Sequence, residues 1–193
     1  MQAIDIYDDI TMERSDSIEI TCDDPSLPAD ESNLAYKAAS ALQDRFYFPG
    51  VKINLKKRIP SGAGLGGGSS DAAFVLRGLC RLYELTPAPE EILQIAAGIG
   101  SDVPFFLSGG QAQVTGRGEI VRSIHLPSHY DIVVIVPPIT TSTAEIYSDL
   151  RIDLTKKSET ILFEKRIGAS RFNRLVKRFS NDLEEAVLNK FPE

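Results

Sequence analysis

The sequence predicts an α+β fold, and three observations support this prediction. Several short segments alternate apolar and polar residues, as strands do in a sheet with one wet face. Other segments repeat apolar residues at helical spacing and follow residues that can cap a helix. The strands are amphipathic rather than continuously apolar, which favours a half-exposed antiparallel sheet over a parallel sheet buried on both faces.

Composition and charge exclude several functional classes. The chain has 193 residues, of which 42% are hydrophobic and 25% charged, an ordinary globular balance for one or two domains. A net charge of −6 argues against nucleic acid as the main partner. The longest apolar run, residues 132–138, is too short to cross a bilayer, and the N-terminus lacks the pattern of a signal peptide. We therefore expect a cytoplasmic protein with no membrane partner. A monomer or weak homodimer is the expected oligomeric state, although composition and charge do not determine it.

The elements of the first half follow from these periodicities. Alternation predicts three strands, over residues 3–10, 17–21 and 51–56. Helical spacing predicts three helices, from Leu34 after a cap within 30–33, from a cap at Ser69 or Ser70 to about Glu84, and from Pro89 to about Ala97. Pro104 biases the residue before it away from helical dihedrals, so residues 100–106 are predicted to form a turn.

The second half is predicted with the same rules. Residues 111–124 indicate two short strands around a turn at 115–118, and residues 131–136 indicate a buried strand. A short helix at 142–150 and a polar linker at 151–157 precede a charged, helical last part. We expect an N-terminal domain over residues 1–127 and the first part of a C-terminal domain over 128–193.

The segment from Gly62 to Gly68 contains five glycines and runs directly into Ser69, Ser70 and a helix. An ordered glycine loses more backbone entropy than any other residue, so this concentration requires a reason. Glycines let backbone N–H groups come close to phosphate oxygens, and a helix N-terminus adds further N–H groups and a favourable dipole. The segment is therefore a candidate phosphate-binding loop.

Other glycine loops fit less well. A P-loop needs a lysine after its last glycine, and Ser69 stands there instead. Gly62, Gly64 and Gly67 satisfy G-x-G-x-x-G, but the preceding strand is amphipathic rather than buried, which disfavours a dinucleotide fold. A protein-kinase loop needs a following strand rather than a helix. A flexible linker is disfavoured because a capped helix follows at once.

The glycine segment resembles a known signature. Residues 60–73 read P-S-G-A-G-L-G-G-G-S-S-D-A-A, which is similar to the second signature of the GHMP kinases (galactose, homoserine, mevalonate and phosphomevalonate kinases and relatives). Residues 100–106 resemble the G-x-D-V-P-F turn of this family, residues 180–184 its S-N-D-L-E segment, and residues 2–8 the strand after its first signature. The triple glycine before Ser69 is similar to the glycine segment in one branch of this family, the branch that acts on a cytidine-diphosphate-linked methylerythritol.

The resemblance implies a fold and an activity. The fold would be the two-domain GHMP-kinase fold, with an N-terminal domain like domain 2 of ribosomal protein S5 and a ferredoxin-like C-terminal domain. The activity would be ATP-dependent phosphorylation, with Mg²⁺, of the 2-hydroxyl of 4-diphosphocytidyl-2-C-methyl-D-erythritol in the non-mevalonate route to isoprenoid precursors. Phosphoryl transfer of this kind depends on alignment and on neutralising phosphate charge.

The resemblance also assigns residues. Asp102 matches the family's catalytic aspartate, which accepts the proton of the attacking hydroxyl. The residues matched to the ATP phosphates are Pro60, Ser61, Gly62, Ala63, Gly64, Leu65, Gly66, Gly67, Gly68, Ser69 and Ser70. Asn33 and Lys57 align with positions near the adenosine, although a helix cap and a solvated strand end are equally good interpretations of them. No residue is assigned as a metal ligand.

Some family signatures are not found in this sequence. The P-A-K-(I/L)-N-L strand, the D-G-Y-H segment that grips cytosine and the C-terminal glycine loop have no match at their expected places. We therefore expect the chain to be incomplete at both ends and to be a poor kinase by itself. Two alternatives stay open: a non-catalytic nucleotide-binding remnant of the fold, or another small-molecule GHMP kinase.

Overall fold

The computed structural model describes residues 1–126, 131–137, 146, 172, 174, 177 and 179–191. The chain divides into two units: one contains Met1–Ser61 and Leu65–Ser123, and the other contains Gly62–Gly64 and Ile124–Glu193. The domain boundary between residues 127 and 128 stays a prediction.

A three-stranded sheet forms one layer of the first unit. Its strands are β1 (Asp9–Arg14), β2 (Ile18–Cys22) and β3 (Val51–Lys56), in the order β1-β3-β2. Along the central strand β3, residues are alternately buried and exposed, which confirms the strand predicted over 51–56. β1 runs antiparallel to β3, but β2 runs parallel to it, so the predicted antiparallel sheet is in fact mixed. The parallel pair arises because a helix crosses over between β2 and β3.

The first strand begins later than predicted. Residues 3–10 alternate in polarity, yet β1 starts at Asp9. The Asp8 carboxylate accepts hydrogen bonds from the backbone N–H groups of Arg58 and Ile59, where strand pairing would otherwise continue. Earlier in the chain, the N–H of Ala3 donates to the carbonyl of Gly110 at 2.8 Å. The hydrogen bonds of the Asp8 carboxylate and the bond from Ala3 to Gly110 thus replace the strand pairing predicted for residues 3–8.

Helices α1 (Leu34–Gln43), α2 (Gly67–Leu82), α3 (Pro89–Ile99) and α4 (Val103–Ser108) form the second layer. α2 packs against α1, α3, α4 and β1. Its buried apolar residues are Ala72, Ala73, Val75, Leu76 and Leu79. α1 contributes small residues, with Ala35, Ala38 and Ala39 fully buried, which allows the two helices to approach closely. The core therefore lies between the inner face of the sheet and α2.

The turn predicted at residues 100–106 is partly helical. α4 begins directly after Asp102 and places Pro104 in its first turn. Proline is tolerated there because the first N–H groups of a helix have no partner within it. The prediction of a non-helical turn was therefore wrong beyond Asp102.

One close approach joins α2 to the sheet. A Cβ atom added to Gly78 would lie 1.9 Å from the Cε of Met12 on β1. Because Gly78 has no side chain, the end of the Met12 side chain can occupy this space.

A hairpin completes the first unit. β4 (Ala112–Thr115) pairs antiparallel with β5 (Ile120–Ser123), which confirms the two strands predicted within 111–124. Gly116 and Gly118 in the connecting turn both have positive φ angles, of 71° and 119°. Glycine is favoured at these two positions because a residue with a side chain is strained at a positive φ angle.

In the second unit, the buried strand predicted at 131–136 is not formed. Residues 131–137 carry no strand, and Val133 and Ile135 are each 85% exposed. No strand among the described residues pairs with this run, so its hydrophobicity alone does not make a strand. α5 (Glu184–Lys190) agrees with the helical character predicted for the last part. The predicted linker 151–157, and the predicted helix 142–150 apart from residue 146, lie outside the described residues. Within the described residues no helix is long and apolar enough to span a membrane.

Candidate active site

The glycine segment ends at the start of α2. Gly66 is the residue before the helix, in the left-handed conformation with φ 72°, and the helix begins at Gly67. The N–H of Ser70 already donates to the carbonyl of Gly66 at 2.9 Å. Ser69 and Ser70 thus lie in the first turn, and the prediction that one of them caps the helix was wrong. The left-handed glycine starts the helix early because it turns the chain into the helix without steric cost.

Two of these glycines are also required by close contacts. A Cβ at Gly66 would lie 2.9 Å from Cε2 of Phe106, and one at Gly67 would lie 3.0 Å from Cγ2 of Ile59. Gly68, by contrast, is exposed, and a Cβ there would lie 3.4 Å from Cδ1 of Leu34, an ordinary contact. The helix therefore presents its first turn with bare backbone at Gly68. The unpaired N–H groups of such a turn suit an anion.

The residues before Gly66 enter from the end of β3. Gly62 and Gly64 both adopt a positive φ of 70°, and Ala63 and Leu65 lie between and after them. The hydroxyl of Ser61 donates to the Asp24 carboxylate at 2.9 Å. An open depression of about 400 Å³ lies at this entry, lined by Asp23, Asp24, Pro25, Lys57, Arg58, Ile59, Pro60 and Ser61.

Lys57 is the centre of a buried ion cluster, which we define as Asp8, Lys57 and Asp71. Its Nζ donates to Oδ2 of Asp8 at 2.5 Å and to Oδ2 of Asp71 at 2.6 Å. The three side chains are 1%, 6% and 5% exposed in the order Asp8, Lys57, Asp71. A Cβ at Gly67 would lie 3.6 Å from the Nζ of Lys57, so the cluster lies beside the first residue of α2.

Burial and ion pairing act differently on the three groups. Burial raises the pKa of Asp71 to about 6, against the lowering effect of Lys57. For Asp8, burial is outweighed by hydrogen bonds from the backbone of Arg58 and from Lys57, and its pKa is lowered. For Lys57, burial is outweighed by its bonds to both carboxylates, and its pKa is raised. Asp8 and Lys57 thus form the charged pair, and Asp71 is the carboxyl group that most readily takes up a proton.

Lys57 and Asn33, the two predicted adenosine neighbours, both have structural partners. The Lys57 ammonium is held within the ion cluster, and its backbone N–H donates to Asp23 at 2.8 Å. Asn33 caps α1 by accepting from the N–H of Ala35 at 2.9 Å, and its Nδ2 donates to the carbonyl of Pro28 at 2.7 Å. The cap predicted within 30–33 is therefore confirmed, and any role of these two residues toward adenosine stays a prediction.

Asp102 stands directly before α4. It is exposed, whereas Val103, Pro104 and Phe105 behind it are buried. Its carboxylate makes no capping hydrogen bond among the described residues. A buried, apolar first turn of α4 thus holds an exposed carboxylate at its start, where it can meet a ligand.

The fold brings some of the predicted residues together. A Cβ at Gly100 would lie 4.0 Å from the Oγ of Ser69, so the first turn of α2 lies beside the segment that leads to Asp102. The turn of the β4–β5 hairpin supports that segment from another side, since a Cβ at Gly118 would lie 1.9 Å from the carbonyl oxygen of Ser101. Within the described residues, no group of three or more His, Cys, Asp or Glu side chains is placed to hold a metal ion.

Sequence reasoning missed Asp8 and Asp71, because charged residues are expected at the surface. One signal was present: Asp71 lies four and eight residues before Val75 and Leu79, on the stripe of α2 that becomes buried. An acid on an apolar stripe requires a buried partner. Its partners are 14 and 63 residues away in the chain, which local patterns do not reveal.

Comparisons with known proteins show the family of the chain. The family model for the GHMP kinases N terminal domain matches residues 33–110. These residues include the glycine segment and Asp102. The 4-diphosphocytidyl-2-C-methyl-D-erythritol kinases of Bacillus licheniformis and Bacillus subtilis are each 39% identical to the chain over its whole length, which spans 68% of theirs. The chain belongs to the GHMP kinase family.

Comparison with solved structures shows that this GHMP kinase chain also resembles known kinases in its fold. A crystal structure of 4-(cytidine 5'-diphospho)-2C-methyl-D-erythritol kinase matches 96% of the chain and 65% of its own, at 32% identity and a TM-score of 0.66. Homoserine kinase from Cytophaga hutchinsonii matches 77% of the chain and 53% of its own, at 19% identity and a TM-score of 0.58, which is a likeness of fold alone.

Proposed function

We propose that this chain carries the ATP-binding part of a small-molecule kinase that phosphorylates the 2-hydroxyl of 4-diphosphocytidyl-2-C-methyl-D-erythritol. The observation that carries the proposal is the bare first turn of α2 behind the left-handed Gly66, beside the segment of Asp102. The similarity of the whole chain to 68% of the length of kinases with that substrate in their names supports it. Phosphoryl transfer requires a phosphate site and a proton-accepting group close together, and the segment that leads to Asp102 lies beside the first turn of α2.

The residues take the following roles in this proposal. The backbone from Gly66 to Ser70 binds the phosphates of ATP, which arrives with Mg²⁺ and whose charge the dipole of α2 helps to offset. The exposed carboxylate of Asp102 accepts the proton of the substrate hydroxyl. The depression between Asp24 and Pro60 is the proposed place of the nucleoside part.

The finer features of the family belong to the same proposal. They are the ribosomal-protein-S5-like and ferredoxin-like domains divided near residue 127, a cytoplasmic location, and a monomer or weak homodimer. Each of these features is inferred from the family to which the chain belongs, and none is inferred from a contact described above.

Phosphate binding is tested with one variant and a matched control. Gly68→Val adds a side chain to an exposed position of the first turn, where the nearest neighbour of the new Cβ is 3.4 Å away. We expect it to fold and to weaken binding of a non-hydrolysable ATP analogue by about tenfold or more in calorimetric titration, which is about 1.4 kcal/mol. Gly98→Val, at a helical glycine with nothing within 4 Å, should leave binding unchanged. Equal binding by both variants would contradict the proposal.

Phosphoryl transfer is tested at Asp102. Asp102→Asn should keep the fold and the affinity for the analogue, because this side chain is exposed and makes no capping bond among the described residues. It should abolish transfer from ATP to the cytidyl substrate under conditions in which the unaltered protein reacts. Retained transfer would assign the proton-accepting role to another group.

A further inference from the structure

The ion cluster has an unequal charge balance. Two carboxylates, those of Asp8 and Asp71, face the single ammonium of Lys57 in a buried place. With all three groups ionised the cluster carries one excess negative charge, and burying such a charge is costly. A proton on one of the carboxylates removes it.

The cluster lies where a polyphosphate would bring more negative charge. Lys57 Nζ is beside Gly67, the first residue of α2, and Asp71 is four residues further along the same helix. The proposed phosphate site is the first turn of that helix. An additional anion near a carboxyl group favours its protonated form.

Asp8 is less able to take up the proton than Asp71. Oδ1 of Asp8 accepts from the N–H groups of Arg58 and Ile59 while its Oδ2 accepts from Lys57, so three donors stabilise its charged form. The Asp71 carboxylate accepts from Lys57, and the neighbouring Asp8 carboxylate acts on it in the opposite sense, favouring its protonated form. The difference in pKa between the two, lowered for Asp8 and about 6 for Asp71, agrees with this geometry.

The surroundings of α2 are mostly apolar. The residues that α1, α3 and α4 bury are apolar: alanines and Leu42, Ala96, and Val103 to Phe105. β1, which also packs against α2, contributes Ile10 and Met12 to the core, while its Glu13 and Arg14 are exposed and Arg14 donates to the carbonyl of Leu82. The charged groups that act on Asp71 are Lys57, after β3, and Asp8, before β1. The nearby Arg58 pairs with Asp9 at the surface.

We infer that Asp71 takes up a proton when a polyphosphate occupies the first turn of α2, so that nucleotide binding and protonation of the ion cluster are coupled. The proton comes from solvent, binds a carboxylate oxygen of Asp71, and leaves again when the nucleotide leaves. The inference rests on the proposed function, because it requires phosphate at this helix. Coupling is reciprocal, so lower pH must tighten binding through the same group.

The test is calorimetric titration of the chain with a Mg²⁺-saturated, non-hydrolysable ATP analogue at about pH 6.5. Repeating it in buffers of different ionisation enthalpy gives the number of protons taken up per nucleotide. We expect the unaltered chain to take up a measurable fraction of a proton more than Asp71→Asn, whose amide cannot titrate. Asp9→Asn, which neutralises an exposed carboxylate of the adjoining residue, should take up as much as the unaltered chain.

The outcomes separate the two proposals. If the analogue binds with equal proton uptake in the unaltered chain and in Asp71→Asn, the coupling is refuted and ATP binding stands. If the analogue does not bind the unaltered chain, the proposed function fails and the coupling fails with it. If Asp71→Asn does not fold, the carboxyl ¹³C signal of Asp71 is followed against pH in the unaltered chain. A titration midpoint that the analogue leaves unmoved would then overturn the inference.

Discussion

Lys57 is held by two carboxylates in a place from which water is largely excluded. Removing one partner of a buried ion group leaves uncompensated charge, which costs more than the intact group contributes. Lys57 therefore matters for stability, although by sequence it looks like one of three consecutive basic residues at a strand end.

Replacing Lys57 tests this directly. Lys57→Met keeps most of the side-chain length but leaves Asp8 and Asp71 facing each other, and we expect it to lower the free energy of unfolding by about 3–5 kcal/mol. Lys56→Met, at the exposed neighbouring position, should change it by about 0.5 kcal/mol or less. Urea-induced unfolding at neutral pH measures both variants. Similar small losses would show that the carboxylates do not depend on the ammonium.

The pH dependence of stability carries the signature of Asp71. Its pKa is raised in the folded protein to about 6, so between that value and its ordinary value the folded state binds more protons than the unfolded state. Its contribution to stability is fully present below about pH 4 and is lost as the pH rises through about 6. Asp8, with a lowered pKa, contributes in the opposite sense, and its contribution is lost as the pH falls below about 4.

The comparison of variants isolates this effect. We expect the stability of the unaltered chain, relative to Asp71→Asn, to fall between about pH 4 and pH 7 in chemical unfolding experiments. Asp9→Asn is the control, because it removes an exposed carboxylate that lies outside the ion cluster. A relative stability that rises over this range would mean that Lys57, rather than burial, dominates the pKa of Asp71.

At the scale of elements, the segment that carries Asp102 depends on its neighbours. α4 anchors it from behind with buried apolar residues, and the turn of the β4–β5 hairpin touches it at Gly118. Any side chain at Gly118 meets the carbonyl group of Ser101 rather than a flexible side chain, so backbone must move.

Two glycine variants distinguish backbone strain from this contact. Gly109 and Gly118 both have positive φ, but nothing lies within 4 Å of a Cβ at Gly109. Gly109→Ala should cost only the backbone strain at φ 66° and ψ −168°, a conformation essentially restricted to glycine, about 1–3 kcal/mol. Gly118→Ala should lower the melting temperature by clearly more, because it adds the clash with Ser101. Equal decreases would show that the hairpin turn yields freely.

Elements with strong local patterns were predicted well, and those set by distant partners were not. β3 and the cap at Asn33 follow from alternation and from a polar residue before an apolar run. The start of α2 was placed too late because Ser69 and Ser70 are good caps, whereas the left-handed Gly66 determines the observed start. The start of β1 and the burial of Asp71 depend on bonds to residues 57–59, which no local pattern contains.

At the scale of the whole molecule, an acidic chain is proposed to bind a highly charged anion. The net charge of −6 opposes the approach of ATP, so binding depends on the local field at the start of α2. Of the candidate site, the sequence predicted the glycine loop and Asp102 because both are contiguous signatures. It could not predict the ion cluster beneath them.

Ligand binding should be visible in global stability. A ligand that binds only the folded state at one hundred times its dissociation constant stabilises it by about 2.7 kcal/mol. We therefore expect the Mg²⁺-saturated ATP analogue to raise the melting temperature in a concentration-dependent way in differential scanning calorimetry. Sodium chloride of equal ionic strength is the control, and an equal rise with the salt would point to general screening of acidic charge.

The contact between Gly78 and Met12 has an evolutionary consequence. The end of the Met12 side chain fills the space beside Gly78, so a larger residue at position 78 displaces it and favours a shorter side chain at position 12. Among homologous sequences the two positions should therefore covary: where alanine or serine replaces Gly78, a shorter residue than methionine should occupy position 12. Homologues that combine a larger residue at 78 with an unchanged methionine must turn the end of that methionine away from position 78.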